Sequence, residues 1–210
     1  RSGNGSAVTN GGLNGTRAAP ILDRPRSGGS RMDDLNAGAR IPQMRTLKVI
    51  VGGEGNVGKT SLIRQYAKGK FSEARNITLG IDITTQEFAI GGEPVRLAIW
   101  DIEGQAGNRP NFYIGAQAAM LVYDVTEPAS LQALVEWLRR CRRYAPEAPI
   151  IVVGNKIDLG LSFPPLWGRA FAKYIGAAHG FVSAKTGENV PLAFNLLARA
   201  AVEHVEAAAR

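Results

Sequence analysis

Cysteine is nearly absent from this sequence, since Cys141 is the only one among 210 residues. A single cysteine cannot form an internal disulfide, so the chain is not a domain stabilised by disulfide bonds. Cys141 shares a helical register with apolar residues, which predicts a packed thiol without a chemical role. Histidine is also scarce, and neither His179 nor His204 has a metal-ligand partner at a suitable spacing. We expect both histidines at surface or helix-cap positions.

Long apolar runs are missing as well. No stretch approaches the roughly 20 apolar residues that span a bilayer, and the first residues lack the apolar core of a signal peptide. These absences favour a soluble, cytoplasmic protein, with peripheral attachment at endomembranes as an alternative. The last residues include no cysteine for prenylation. We therefore expect no covalent lipid anchor and at most weak electrostatic membrane contact.

Acidic residues are outnumbered, because 25 Lys and Arg against 18 Asp and Glu leave a net charge of +7. Much of the excess lies in the N-terminal segment and in residues 139–143. No aromatic-studded nucleic-acid motif accompanies it, so we expect no nucleic-acid partner. For the arginine run at 139–143, a solvated helix face is favoured over a surface for an acidic partner or lipid.

Residues 1–44 are rich in Gly, Ser and Arg and show no apolar periodicity. This composition predicts a disordered N-terminal arm. The remaining residues, 45–208, are enough for one hydrophobic core and too few for two, so we expect a single domain there.

After residue 44, apolar runs alternate with amphipathic segments. Continuous runs are typical of strands buried on both faces, and two alternating runs around Gly91-Gly92 predict a hairpin. This order predicts an α/β fold with a doubly wound, mostly parallel sheet, one antiparallel edge strand and helices on both faces. The predicted strands are 47–51, 81–90, 95–100, 119–123, 150–153 and a short one ending near 182; the predicted helices are 61–67, 131–141, 163–174 and from 190 onward.

The stretch Gly53-Glu54-Gly55-Asn56-Val57-Gly58-Lys59-Thr60 reads G-x-x-x-x-G-K-T between a predicted strand and a predicted helix. In this context the pattern predicts a phosphate loop, because backbone N–H groups and the helix N-terminus converge on an anion. Lys59 would reach the β- and γ-phosphates, and the Thr60 hydroxyl would take one Mg²⁺ coordination position.

Further polar residues follow other predicted strands, namely Asp101, residues 155–158 and residues 183–185. In a doubly wound sheet, ligands bind outside the carboxyl ends of the strands. The sequence therefore predicts one site assembled from four loops.

Five segments follow one another along the chain: the phosphate loop, Thr78-Leu79-Gly80-Ile81-Asp82, Trp100-Asp101-Ile102-Glu103-Gly104-Gln105, Asn155-Lys156-Ile157-Asp158 and Ser183-Ala184-Lys185. In this order they resemble the small GTPases of the Ras superfamily, over residues 45–206. The resemblance implies a P-loop NTPase fold, the G domain, with a six-stranded sheet. It also implies a guanine-nucleotide-binding switch that hydrolyses GTP to GDP with Mg²⁺ in intracellular vesicle transport. Effector proteins, an exchange factor and a GTPase-activating protein are the implied partners of a monomer. The segment at 78–82 looks most like the Rab branch of this superfamily, and so does Leu121-Val122-Tyr123-Asp124-Val125-Thr126.

By this resemblance, Asp158 would accept hydrogen bonds from the guanine ring N–H and amine, which adenine does not offer in that arrangement. Asn155 would tie its loop to the phosphate loop, the Lys156 stem would lie along the base, and the Ala184 N–H would donate to the guanine carbonyl. Phe71 would stack on the base, with a core position as the alternative. The nucleotide-binding residues implied are Gly53, Gly55, Asn56, Val57, Gly58, Lys59, Thr60, Ser61, Phe71, Thr78, Asp101, Gly104, Asn155, Lys156, Asp158, Ser183, Ala184 and Lys185.

The same resemblance implies Mg²⁺ ligands at Thr60, Thr78 and Asp101, the last through a water. Gln105 would orient the attacking water, with Lys59 and Thr78 as further catalytic residues. Thr78 and Gly104 would contact the γ-phosphate, and the loss of these contacts after hydrolysis would relax both segments.

The chain departs from the family pattern Asp-Thr-Ala-Gly-Gln-Glu at residues 101–106, most notably at Glu103. We expect this carboxylate to turn outward to solvent or Arg109, because a triphosphate would repel it. The segment after Gln105 is shorter than in the Rab pattern, so the second switch helix should be short or displaced. The Rab surface triad would consist of Ile83, Trp100 and, as a plausible third member, Tyr113.

Three functions are compatible with these residues. A GTP-hydrolysing switch is favoured over a nucleotide-loaded scaffold in which Glu103 and the short second switch suppress cycling. A P-loop kinase of small metabolites is disfavoured for two reasons. The loop at 155–158 has the pattern that recognises a guanine base, and the sequence shows no separate lid segment for a phosphate acceptor.

Overall fold

A computed structural model describes residues 44–69, 80–90, 92–103 and 109–210 of the chain. The predicted arm therefore lies outside the described residues, except for Met44, and so do the predicted site residues Phe71, Thr78, Gly104 and Gln105. The strands are β1 (Arg45–Gly52), β2 (Ile81–Ile90), β3 (Glu93–Ile102), β4 (Ala118–Asp124), β5 (Ile150–Asn155) and β6 (Ala178–Phe181); the helices are α1 (Lys59–Lys68), α2 (Pro128–Tyr144), α3 (Pro165–Tyr174) and α4 (Val190–Ala208), with 3₁₀ turns at Pro110–Phe112 and Ile157–Leu159.

The six strands form one sheet in the order β2-β3-β1-β4-β5-β6. The β2–β3 pair is antiparallel, and every other neighbouring pair is parallel. The predicted hairpin thus supplies the antiparallel edge strand, and the predicted fold class is confirmed.

Alternate residues of each central strand enter two different apolar layers. In β1, Val49 and Val51 belong to the layer that contains Phe194 of α4. Ile50, between them, belongs to the layer that contains Trp137 of α2. Helices therefore cover both faces of the sheet, which explains why the central strands read as continuous apolar runs.

Helix α1 begins directly after the predicted phosphate loop. Its N-cap is Gly58, and its C-cap is Gly69, which has a left-handed backbone with φ of 58°. The Gly69 N–H donates to the Gln65 carbonyl at 2.9 Å, a helix stop that the Lys68-Gly69 sequence predicts. The N-terminus of α1 is therefore held at the carboxyl end of β1.

Cys141 is buried, and burial raises the pKa of its thiol to about 12. This confirms the predicted packed thiol. The surface position predicted for His179 is wrong, because this side chain is partly buried in β6 and lies 3.0 Å from the Tyr123 hydroxyl. Strand β6 is too short for its sequence to show which side chains face inward.

The predicted surface triad is only partly correct. Ile83 and Trp100 are partners across β2 and β3, and Ile83 is 48% exposed. Tyr113, however, is fully buried, so it cannot belong to an exposed triad. The 3₁₀ turn at Pro110–Phe112 directs this ring inward, toward Tyr144 of α2, with the ring centroids 6.0 Å apart.

Among the described helices, none is both long and apolar enough to cross a membrane.

Candidate functional site

The loop between β1 and α1 is a tight turn with several residues in a left-handed backbone conformation. Gly53, Asn56 and Gly58 have positive φ values of 145°, 62° and 95°. A Cβ atom on Gly53 would lie 2.2 Å from the Val122 carbonyl oxygen, and one on Gly58 would lie 2.4 Å from Asn155 Nδ2. Both glycines are therefore required by neighbouring strands as well as by the curl of the loop.

Lys59 is the cation of this loop. Its side chain is buried, and Nζ donates to the carbonyl oxygens of Gly53 and Glu54, each at 2.8 Å. Burial lowers the pKa of Lys59, and the nearby charges of Asp101, Glu54 and Glu103 act in the opposite direction. A buried ammonium whose hydrogen bonds within the described residues go to backbone carbonyls is well placed to exchange these contacts for phosphate oxygens.

Asp101 stands beside the loop because it pairs with Val51, the penultimate residue of β1. Asp101 is buried, and its Oδ2 accepts from the Thr60 hydroxyl at 2.5 Å. Its other oxygen, Oδ1, is buried without a hydrogen-bond partner within the described part of the chain. Burial raises the pKa of Asp101, while the Thr60 hydrogen bond and the Lys59 charge lower it.

This pair fits a magnesium site. Buried carboxylate oxygens need a hydrogen-bond donor or a cation, and no described residue donates to Asp101 Oδ1. No group of three His, Cys, Asp or Glu side chains converges within the ranges that the structure describes. Mg²⁺ is commonly held by one or two carboxylates together with phosphate oxygens, so Thr60 and Asp101 could hold it once a nucleotide supplies the phosphates.

Asn155 links three loops. It is almost fully buried at the end of β5, and its Nδ2 donates to the Val57 carbonyl in the phosphate loop at 2.8 Å. Its Oδ1 accepts from the Ala184 N–H at 3.0 Å. The expected tie between Asn155 and the phosphate loop is thus observed. The Ala184 N–H, predicted to donate to guanine, is used inside the site and would have to be shared on binding.

Asp158 is held by the loop after β6. Its Oδ1 accepts from the Ser183 hydroxyl at 2.6 Å, and the Ser183 oxygen in turn accepts from the Thr186 N–H at 3.0 Å. Ser183 is fully buried, whereas Asp158 and Lys185 are exposed. The arrangement presents a fixed carboxylate at the surface of the site.

One member of this site was missed by sequence reasoning. Asp124, the last residue of β4, forms an ion pair with Lys156, with Oδ2 and Nζ 2.5 Å apart. The signal was present, since Asp124 is a polar residue directly after a buried run, like Asp101. In the sequence, Asp124 supports only the resemblance to the Rab branch.

Glu103 is partly exposed, and of its two predicted environments, solvent and Arg109, only the second is wrong. Its Oε2 accepts from the Gly80 N–H at 2.7 Å, and its own N–H donates to the Gly80 carbonyl at 3.1 Å. The predicted contact with Arg109 is not formed; the Arg109 guanidinium lies 5.9 Å from the centre of the Phe112 ring. The sheet register explains the bonds between Glu103 and Gly80, because these two residues lie one position beyond the Ile81–Ile102 pair.

Comparisons with known proteins agree with this geometry. The profile of the Ras family matches residues 48–203. Ras-related protein Rab-21 of Bos taurus is 34% identical over 174 residues, which cover 79% of this chain and 78% of that protein. Ras-related protein Rab-21 of Homo sapiens is 36% identical over 166 residues, covering 75% and 73%. The Ypt/Rab-type GTPase avaA of Emericella nidulans is 38% identical over 173 residues, covering 77% and 84%.

Proposed function

This chain belongs to the Ras family and is a Rab-like small GTPase, and from that premise we propose that it is a molecular switch in intracellular vesicle transport. It binds GTP and GDP with Mg²⁺ and hydrolyses GTP to GDP. Its partners are effector proteins, an exchange factor and a GTPase-activating protein. It acts in the cytoplasm and peripherally at endomembranes.

The observation that carries this proposal is the Asn155 link. A single buried amide joins the phosphate loop to the loop of Ala184, while Ser183 holds the Asp158 carboxylate. The protein's own hydrogen bonds therefore fix the proposed phosphate-binding and base-binding groups relative to each other. Such preorganisation reduces the ordering penalty of binding.

Each residue has a defined part in the proposed reaction. Lys59 and the N-terminus of α1 bind the phosphates, and Asp158 selects guanine through the donors on its ring edge. Thr60, Asp101 and Thr78 would hold Mg²⁺, which would neutralise charge that develops on the phosphate oxygens. Gln105 orients the attacking water. Positioning and charge neutralisation supply most of the catalysis in phosphoryl transfer.

A nucleotide-loaded scaffold with weak hydrolysis is the second candidate. The observation that favours it is the bond from the Gly80 N–H to the Glu103 carboxylate, since this bond joins segments that flank both predicted switch residues, Thr78 and Gly104. A link of this kind, if kept in both nucleotide states, would reduce the difference between them.

The test measures base choice and hydrolysis on the same preparation. GTP and GDP should bind much more tightly than ATP and ADP in the presence of Mg²⁺. Asp158→Asn should shift preference toward xanthine nucleotides, whose ring offers an acceptor where guanine has an amine. Comparable affinities for ATP and GTP in the parent would overturn guanine specificity.

Single-turnover hydrolysis then distinguishes the switch from the scaffold. Intrinsic hydrolysis in such switches is slow, so the comparison is made with Gln105→Leu as the control. A parent rate clearly above that control supports the switch, whereas equal rates support the scaffold.

A further inference from the structure

The ion pair of Asp124 and Lys156 lies inside the predicted base-binding region. The Lys156 ammonium and the Asp124 carboxylate are 2.5 Å apart, with side chains 30% and 9% exposed. The other well-formed pairs of the described chain are more open; Arg96 and Glu87, for example, are 43% and 59% exposed. Exposed ion pairs contribute little to stability because water screens them. Among the described pairs, the one at Lys156 should therefore contribute most.

Asp124 is itself held in one orientation. Its Oδ1 accepts from both the N–H and the hydroxyl of Thr126, at 2.9 and 2.7 Å. Its backbone N–H donates to the Ser130 hydroxyl at 2.9 Å. Oδ2 is thus the oxygen that faces Lys156, and the carboxylate is a rigid anchor at the end of β4.

Lys156 needs such an anchor. Its backbone is left-handed, with φ of 71°, between Asn155 and the 3₁₀ turn that carries Asp158. A lysine side chain has a flexible stem of four carbons and loses substantial rotamer entropy when it is ordered. Asp124 lies beside this turn because it pairs with Asn155 across β4 and β5.

We propose that Asp124 is a positioning residue of the nucleotide site, which holds the Lys156 ammonium so that the lysine stem is ordered before the base binds. This inference rests on the proposed function. Asp124 does not touch the nucleotide; it acts through Lys156. The base then meets a stem whose entropy has already been lost on folding, so it binds more tightly and leaves more slowly.

The test is the dissociation rate of a fluorescent GDP from the Mg²⁺-bound protein. Asp124→Asn keeps an oxygen for Thr126 and places an uncharged amide opposite the Lys156 ammonium. We expect GDP to leave about fivefold to tenfold faster, as the stem loses its preorganisation. Thr126→Val removes one contact of Asp124 but keeps the ion pair, and its rate should stay within about twofold of the parent.

A double-mutant cycle with Lys156→Met separates positioning from folding. Met retains an unbranched stem without charge. Adding Asp124→Asn to the Lys156→Met variant should therefore leave the GDP dissociation rate unchanged. An equal acceleration by Asp124→Asn in both backgrounds, or an equal effect of Thr126→Val, would overturn the inference. Each single change leaves one charge of the pair without its partner, and the double variant leaves neither. Asp124 keeps its two Thr126 hydrogen bonds in Lys156→Met, so the comparison of Lys156→Met with the double variant stands even where Asp124→Asn alone fails to fold.

The two proposals fail differently. A parent protein that does not prefer GDP to ADP contradicts the proposed function. A parent that prefers GDP, with Asp124→Asn releasing it at the parental rate, contradicts only the role of Asp124.

Discussion

Glu103 places a negative charge near Lys59 of the candidate site. Its carboxylate is fixed on the Gly80 N–H and remains close enough to Lys59 to raise the pKa of that ammonium, although more weakly than Asp101 and Glu54 do. The side chain therefore has two separable properties, a hydrogen-bond acceptor and a negative charge. GTP carries one more phosphate group than GDP, so the charge should act mainly on GTP.

Two substitutions at Glu103 separate these properties. Glu103→Gln keeps an acceptor for Gly80 and removes the charge, whereas Glu103→Ala removes both. If the charge acts on the γ-phosphate, both variants should improve GTP binding relative to GDP by about threefold to tenfold. The measurement is the ratio of GTP to GDP dissociation constants at fixed Mg²⁺.

The control for Glu103 is Glu87→Gln, in the exposed pair with Arg96 on the same hairpin. This variant should leave the ratio unchanged. A change in Glu103→Ala but not in Glu103→Gln would assign the effect to the Gly80 bond, and an unchanged ratio in both would refute a role for the charge.

At the scale of elements, β4, β6 and α3 meet at one partly buried histidine. His179 lies 3.0 Å from the Tyr123 hydroxyl, and its ring meets that of Phe181 edge-on at 4.7 Å. A Cβ on Gly168 of α3 would lie 2.1 Å from the Tyr123 hydroxyl oxygen. Only glycine at this position lets α3 pack so closely on the pair.

This contact predicts a pH dependence of stability. Burial, aided by the Arg169 charge, lowers the pKa of His179 to about 4, against 6.5 as its ordinary value. Below pH 6.5 the unfolded chain therefore binds a proton that the folded chain does not, and the free energy of unfolding should fall as the pH decreases from about 6.5 to about 4. Urea unfolding at saturating GDP measures this.

The matched variants are His179→Gln and His204→Gln. The first can keep a hydrogen bond to Tyr123 but does not titrate, so its stability should fall less steeply on acidification. The second lies on α4, away from this contact, and should behave like the parent. Identical slopes for His179→Gln and the parent would show that another group controls the acid response.

At the scale of the whole molecule, the sheet order decides which loops meet. Parallel pairing of β1 with β3 and β4, and of β5 with β4 and β6, brings their carboxyl ends to one edge. A cleft of about 720 Å³ lies at the other end, between the start of β1, the β2–β3 turn and α4. It is lined by Arg45, which pairs there with Glu93 and Glu206.

Among the residues that join these loops, Asn155 is the one whose loss should most affect nucleotide binding. Asn155→Ala leaves the Val57 carbonyl and the Ala184 N–H without their partner, and each unsatisfied buried group costs about 1–3 kcal/mol. GDP should therefore dissociate at least about tenfold faster. Asn195→Ala, the same change on the exposed face of α4 at the opposite cleft, should not alter the rate. Equal rates in the two variants would contradict the proposed coupling of the loops.

The order and type of the elements could be predicted from the sequence because they depend on local patterns. Continuous apolar runs, helical periodicity and the Gly91-Gly92 turn record burial and backbone chemistry at each position. The curl of the loop at 53–60 could be predicted for the same reason, since its glycines lie within a few consecutive residues. The phosphate-binding and base-binding roles of residues 53–60 and 155–158 stay predictions. Residue roles such as those of Phe71, Thr78, Gly104 and Gln105 stay predictions that follow from the family resemblance.

Only the tertiary structure decided which side chains from different elements meet. The Lys156 pair with Asp124 spans two strands, the Glu103 bond to Gly80 depends on the register of an edge hairpin, and Tyr113 is buried through a short 3₁₀ turn. His179 is partly buried because β4 and α3 lie against it. Contacts of this kind are set by sheet order and register over 20 or more residues of sequence, and a local pattern does not record them.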